Sequence, residues 1–114
     1  MKFSTSLKNN YEFRRTYAKG KSAASPLVVV YCRKNRSEKN RLGITVSTKI
    51  GKAVVRNRIR RRLKEIYRLN ECSVACGYDI IIVARTKSRY SSYKALEDDV
   101  LRLFTRLGIR TGAR

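Results

Sequence analysis

From Lys49 to Lys64 the chain reads Lys-Ile-Gly-Lys-Ala-Val-Val-Arg-Asn-Arg-Ile-Arg-Arg-Arg-Leu-Lys, and cations dominate it. Val55, Ile59, Leu63 and Ile66 recur at spacings of four and three, the repeat of one buried helix face. With Ile59 at the centre of that face, the 100° step per residue puts Asn57, Arg61, Lys64 and Arg68 on the opposite side. Arg58 and Arg60 then project from the two flanks, while Arg56 and Arg62 border the apolar stripe. Arginine's planar fork binds phosphate in a bidentate way and stacks on bases, so this chemistry is recognition of a polyanion. A solvated helix face normally mixes acids among its bases. Here Glu65 is the single acid between Lys49 and Arg68, and neighbouring like charges repel unless an anion meets them.

Hydrolytic chemistry on the protein itself finds no such support. Histidine, the commonest general base, is absent. The one acidic cluster is Glu97-Asp98-Asp99. Consecutive helical residues point 100° apart, so these carboxylates do not converge on one ion, and they suit a helix N-terminus instead. Cys72 and Cys76 lack the further ligands that a structural zinc takes. The expectation is a protein with no catalytic residue, no metal and no cofactor of its own.

The 114 residues suit a single domain spanning 1–114. Hydrophobic residues make up 42%, enough for a modest core without disulfides. The 28 Lys and Arg face only 8 Asp and Glu, a formal charge of +20. Repulsion on that scale destabilises a compact chain, so a polyanionic partner is expected. An anionic membrane would require a long apolar span, and the apolar runs, 80–84 among them, are strand-length. A nucleic acid is the better partner. Three cysteines, an odd count, and a polar first ten residues without an apolar leader point to reduced thiols in a cytoplasm.

The elements that must position these residues follow from periodicity and punctuation. A first helix is expected from Asn9 or Asn10 to Gly20, with Glu12 reaching back as a capping side chain and Phe13 and Tyr17 on one face. Residues 21–26 read as a connector, 27–31 as a buried strand, 33–41 as a hairpin loop and 42–47 as the next strand. The basic helix covers 52–70. A strand over 79–84 follows, then a last helix capped by Ser91 or Ser92, with Leu96, Val100, Leu103, Phe104 and Leu107 as its stripe. Residues 109–114 read as a loose tail. The class is α+β, a small single-layer sheet with helices in the order α-β-β-β-α-β-α.

The run Leu42-Gly43-Ile44-Thr45-Val46-Ser47-Thr48-Lys49-Ile50-Gly51-Lys52-Ala53-Val54-Val55-Arg56-Asn57-Arg58-Ile59-Arg60-Arg61 closely resembles the signature of bacterial ribonuclease P proteins. Glu12-Phe13 with Tyr17 and Gly20-Lys21 is similar to that family's first helix, and 79–85 to its fourth strand. The chain departs from the pattern at Thr48, where a second Lys is frequent, and at Lys52, often Asn. It departs again at Arg62, commonly apolar, and at Thr86, where Pro is frequent.

The resemblance implies a left-handed β-α-β crossover around the basic helix, against the usual right-handed preference. It implies that Lys52, Arg56, Asn57, Arg58, Arg60, Arg61 and Lys64 contact ribonuclease P RNA. It further implies a cleft for the 5′ leader of precursor tRNA, formed by Phe13, Tyr17, Tyr31 and Val46 with Ser47 and Lys49 on the rim. Read without the resemblance, Phe13 and Tyr17 are better taken as the buried face of an amphipathic helix, and the resemblance reverses that preference. The implied function is that of the protein subunit of an endoribonuclease whose RNA uses Mg2+ to remove tRNA leaders. A small ribosomal protein is the alternative. A DNA-binding regulator fits less well, because no helix-turn-helix surrounds Arg56.

Overall fold

The computed structural model describes residues 4–111. Five strands form one sheet in the order β1-β4-β5-β3-β2. They are β1 (Ser4–Ser6), β2 (Lys21–Ala24), β3 (Val28–Lys34), β4 (Asn40–Val46) and β5 (Tyr78–Ala84). Three helices accompany them: α1 (Asn10–Lys19), α2 (Ala53–Asn70) and α3 (Tyr93–Arg106). The α+β class and the expected element order hold from α1 onward, with the short polar β1 added in front. The expected β-α-β unit is present: α2 joins β4 to β5, which are adjacent and parallel.

Strand register sorts the side chains onto two faces, because successive residues alternate. On one face the cross-strand rows are Val28–Ala84–Val46, Val30–Ile82–Ile44 and Cys32–Ile80–Leu42. Against these rows pack α2, through Ile59, Leu63, Ile66 and Tyr67, and α3, through Leu96, Val100, Leu103 and Phe104. Each such aliphatic side chain taken from water stabilises the fold by about 1.5–3 kcal/mol. Burial pushes the Tyr67 phenol up from its ordinary pKa, partly offset by its hydrogen bonds with Ser4 and Asn40. The other face carries Val29–Val83–Thr45, Tyr31–Ile81–Gly43 and Arg33–Asp79–Arg41, and α1 lies across it.

Several local expectations are corrected. Residues 33–41 do not close a hairpin: β5 inserts between β3 and β4 and pairs with both. Its continuous apolar run, buried on both faces, is what a central strand carries. Residues 21–24 form the edge strand β2 along β3 rather than a connector. Asn9 makes no side-chain cap, and Glu12 is drawn instead into an ion pair with Arg41. Gly20 ends α1 in extended backbone with φ −81. A Cβ there would lie 2.6 Å from the Cys32 carbonyl oxygen, so its glycine serves close approach to β3 and not a left-handed turn.

The expected tail is pinned as far as residue 111. Ile109 is 1% exposed, its carbonyl accepts from Ala75 N at 2.6 Å, and Thr111 N donates to the Ser73 carbonyl at 2.6 Å. One apolar residue beyond Gly108 was enough to draw the chain back onto the core. Residues 112–114 of that expected tail lie outside the described residues. Among the described residues no helix is long and apolar enough to cross a membrane.

Candidate nucleic-acid interface

Along α2 the arginines take the positions that the 100° step predicts. Asn57, Arg61, Lys64 and Arg68 are exposed, as are Arg58 and Arg60, while Arg56 and Arg62 are half-buried. Lys52 precedes the helix and is exposed, and no acid occupies the first turn. The positive end of the helix dipole therefore adds to Lys52 and Arg56 instead of being offset. Among the described residues none of Lys52, Arg56, Arg58, Arg60, Arg61, Arg62 and Lys64 pairs with a carboxylate; Glu65 is held by Arg68.

Neutral groups aim several of these cations. Arg56 Nε donates to the Gly51 carbonyl at 3.2 Å, and Arg60 Nη1 to Asn57 Oδ1 at 3.4 Å. Arg58 Nη2 reaches the Arg89 carbonyl at 3.5 Å and Arg62 Nη1 the Ser91 carbonyl at 3.3 Å. These contacts fix direction without neutralising charge.

The opposite sheet face holds the aromatic group. Tyr17 stands edge-on to Tyr31, ring centroids 4.8 Å apart, and Phe13 lies 6.4 Å from Tyr17. The Tyr17 and Thr45 hydroxyls are 3.2 Å apart. Phe13, Tyr17 and Thr45, with Asn10 and Arg14, line an open hollow of about 570 Å³. Tyr17 is 38% exposed, and Phe13 and Tyr31 are half-buried. These rings therefore remain reachable from solvent rather than sealed in a core. Gly43 makes the arrangement possible: a Cβ there would sit 2.6 Å from the Phe13 ring.

Val46 does not join this group. It is 7% exposed and faces the α2 and α3 side in the row of Val28 and Ala84. Its neighbour Thr45 holds the cleft position, and alternation along β4 dictates the exchange. Ser47 and Lys49 are exposed in the turn that follows β4, where Ser47 Oγ accepts from Lys49 N at 3.2 Å.

The two surfaces meet at Phe13. A second hollow, of about 210 Å³, is lined by Phe13, Leu42 and Ile44 together with Arg60 and Lys64 of α2. It opens where β1 has ended and β4 loses its outer neighbour beyond Leu42.

Comparison with known proteins agrees with this geometry. A family model described as Ribonuclease P matches residues 1–108. The chain belongs to the ribonuclease P protein family. The "Ribonuclease P protein component" of Alkaliphilus metalliredigens is 42% identical over 107 residues, covering 94% of this chain and 96% of the relative. The ribonuclease P protein of Staphylococcus aureus superposes with TM-score 0.88 at 30% identity, over 95% of this chain and 99% of that one. That of Thermotoga maritima gives 0.82 at 32% identity, over 89% and 96%. The function class is accordingly that of a ribonuclease P protein component, an RNA-binding part of tRNA processing.

Sequence reasoning missed two groups, Thr45 in the aromatic cleft and Tyr90 beside the start of α2. Thr45 was legible from strand alternation. Tyr90 was not: it is 79% exposed in the turn Thr86–Tyr90, with the Arg89 guanidinium 5.5 Å from its ring. Arg89 Nη1 in turn donates to the Ile50 carbonyl at 3.2 Å, tying this turn to the start of α2. No periodicity marks a lone aromatic in a loop. Of the acids of α3, Glu97 and Asp98 both reach the Lys94 ammonium, at 3.9 and 3.2 Å, and Asp99 turns to Arg102, while Asn70 donates to Glu97.

Proposed function

We propose that Lys52, Arg56, Asn57, Arg58, Arg60, Arg61 and Lys64 bind ribonuclease P RNA, while the α1 cleft holds the single-stranded 5′ leader of precursor tRNA. The leader contacts are Phe13, Tyr17 and Tyr31, with Thr45 in place of Val46 and with Ser47 and Lys49 at the rim. The observation that carries this reading is the junction at Phe13, where an unneutralised arginine helix borders an accessible aromatic hollow. Stacking on exposed rings accepts any unpaired base and is worth about 1–3 kcal/mol per base. Cations without carboxylate partners gain most from phosphate, because nothing must be released first except counterions.

In this reading the protein performs no bond cleavage. The RNA subunit holds Mg2+ and hydrolyses the phosphodiester, leaving a 5′-phosphate on mature tRNA. The chain screens repulsion between two RNAs, so that precursor tRNA and magnesium bind at lower concentrations, and it works in the cytoplasm. The test is to add the chain to ribonuclease P RNA at low magnesium and measure 5′ cleavage of precursor tRNA. Strong stimulation is expected; a rate equal to that of the RNA alone rejects the proposal.

A further inference from the structure

On the sheet face that carries α1, the helix separates two hollows. Phe13 and Tyr17 point to one flank, while Glu12, Arg15 and Lys19 lie on the other, as the 100° step requires. The second flank opens into a hollow of about 350 Å³ lined by Arg15, Lys19, Arg33, Lys34, Arg36 and Arg41. It stands across the sheet from α2 and across α1 from the aromatic rings.

Charge accounting singles this hollow out. Arg41 is spoken for: its Nε and Nη2 donate to the Asp79 carboxylate at 2.7 and 2.8 Å, and it also pairs with Glu12. Arg15, Lys19, Arg33, Lys34 and Arg36 have no carboxylate partner among the described residues. Glu38, in the adjoining loop, is exposed and makes no ion pair there. Five cations around one concavity repel each other until an anion enters.

The loop that supplies Arg36 is built rather than slack. Asn35 Nδ2 donates to the Lys39 carbonyl and to Asp79 Oδ1, each at 3.0 Å, and Ser37 N donates to Asn35 Oδ1 at 2.8 Å. Asn35 N is tied to the Gly77 carbonyl at 2.9 Å. Within that frame Arg36 is held at φ 61, a left-handed conformation disfavoured for a side chain of its size. A path also connects the two flanks. Arg14 lines the aromatic hollow, and beside it on the outer face of α1 the exposed Tyr11 carries the Arg15 guanidinium 4.3 Å from its ring.

We propose that the Arg15–Arg33–Arg36 hollow is a second phosphate site. It takes a phosphodiester of the single-stranded leader after the strand leaves the aromatic cleft and crosses the outer face of α1. This inference rests on reading that cleft as the leader site. A helix with its side chains is about 10 Å across, so only leaders long enough to span α1 reach the hollow.

The experiment uses the chain assembled with ribonuclease P RNA and precursor tRNAs whose leaders are lengthened one nucleotide at a time. Affinity should rise in two steps, the second appearing only once the strand clears α1. The variant Arg33→Gln with Arg36→Gly, glycine being chosen to keep the positive φ, should remove the second step, about threefold to tenfold. Short leaders should bind it as they bind the unaltered chain. Lys19→Gln, an exposed change, should reduce the second step in the same direction.

A second step that persists in both variants overturns the proposal, as does an equal loss for all leader lengths. Titration of the free chain with inorganic phosphate provides a separate arm. Saturable NMR shifts at the Arg33 and Arg36 side chains are expected, and their absence overturns the site. Should Tyr17→Ala leave the first step intact while phosphate still binds at Arg33, the cleft reading has failed and the leader path fails with it. Loss of the second step alone leaves the cleft reading standing.

Discussion

The arginine helix and the aromatic cleft are built on opposite economies of structure. The proposed RNA-binding cations of α2 come from 13 consecutive residues, Lys52 to Lys64. Among the described residues none of them leans on a carboxylate; Arg68, further along, is the one held by Glu65. The cleft draws on α1 and, through Tyr31 and Thr45, on β3 and β4, and the helix that roofs it is fastened by charge. Arg41 joins Glu12 of α1 to Asp79 of β5, with Asp79 1% exposed. One surface is local, its side chains placed by the geometry of a single helix. The other exists only while the tertiary structure holds. Substitutions in the cleft should therefore cost stability and binding together, and substitutions on the helix should cost binding alone.

The largest effect is expected at the fastening. Arg41→Met leaves Asp79 buried with only Asn35 donating and strips Glu12 of its partner. Removing one member of a buried ion pair costs about 3–5 kcal/mol. Urea unfolding should show that loss, and leader-dependent affinity should fall with it as α1 detaches. A loss below about 1 kcal/mol would mean the charges are solvated and α1 is held by packing alone.

Gly43→Ala comes next. The added methyl meets the Phe13 ring, so ring and helix must move outward. Overpacking of this kind costs about 1–3 kcal/mol. Ring-proton shifts of Phe13 and Tyr17 should change, and discrimination between precursor and mature tRNA should weaken. Unchanged shifts with lost stability would place the strain elsewhere.

The same contrast explains what could be read before any coordinates. Periodicity alone set each α2 cation on its proper side, because a helix places residues by local rules. Non-local pairing was harder. Nothing in residues 33–41 says that β5 will enter between the strands they join, so a hairpin was the natural reading. Glu12 had the spacing of a capping side chain, yet an arginine 29 positions later captured it. Ile109 looked like the start of a tail until the core offered it a place. Val46 is different, since the alternation of Leu42, Ile44 and Val46 already sent it to the core face. There the strand's own alternation contradicts the resemblance, and the alternation decides the side chain's direction.

Tyr17→Ala tests the cleft with less disruption, because the ring is partly exposed and its hydroxyl shares an exposed hydrogen bond with Thr45. Loss of one stacked base amounts to about 1–3 kcal/mol, roughly fivefold to 150-fold in affinity. The loss should fall on precursor tRNA and spare mature tRNA. Equal losses for both would remove the leader from this cleft.

The smallest expected change in stability belongs to Arg58→Ala with Arg61→Ala, and that smallness is the point. Among the described residues neither side chain has a carboxylate partner, and Arg58 touches one carbonyl at 3.5 Å, so urea unfolding should move by no more than about 0.5 kcal/mol. Binding to ribonuclease P RNA should weaken, and the slope of log affinity against log salt should flatten by about 2, one for each lost phosphate contact. A flattened slope with full stability separates this surface from the cleft. An unchanged slope would show that these arginines face water in the complex, and the RNA contact would have to lie on another side of the helix.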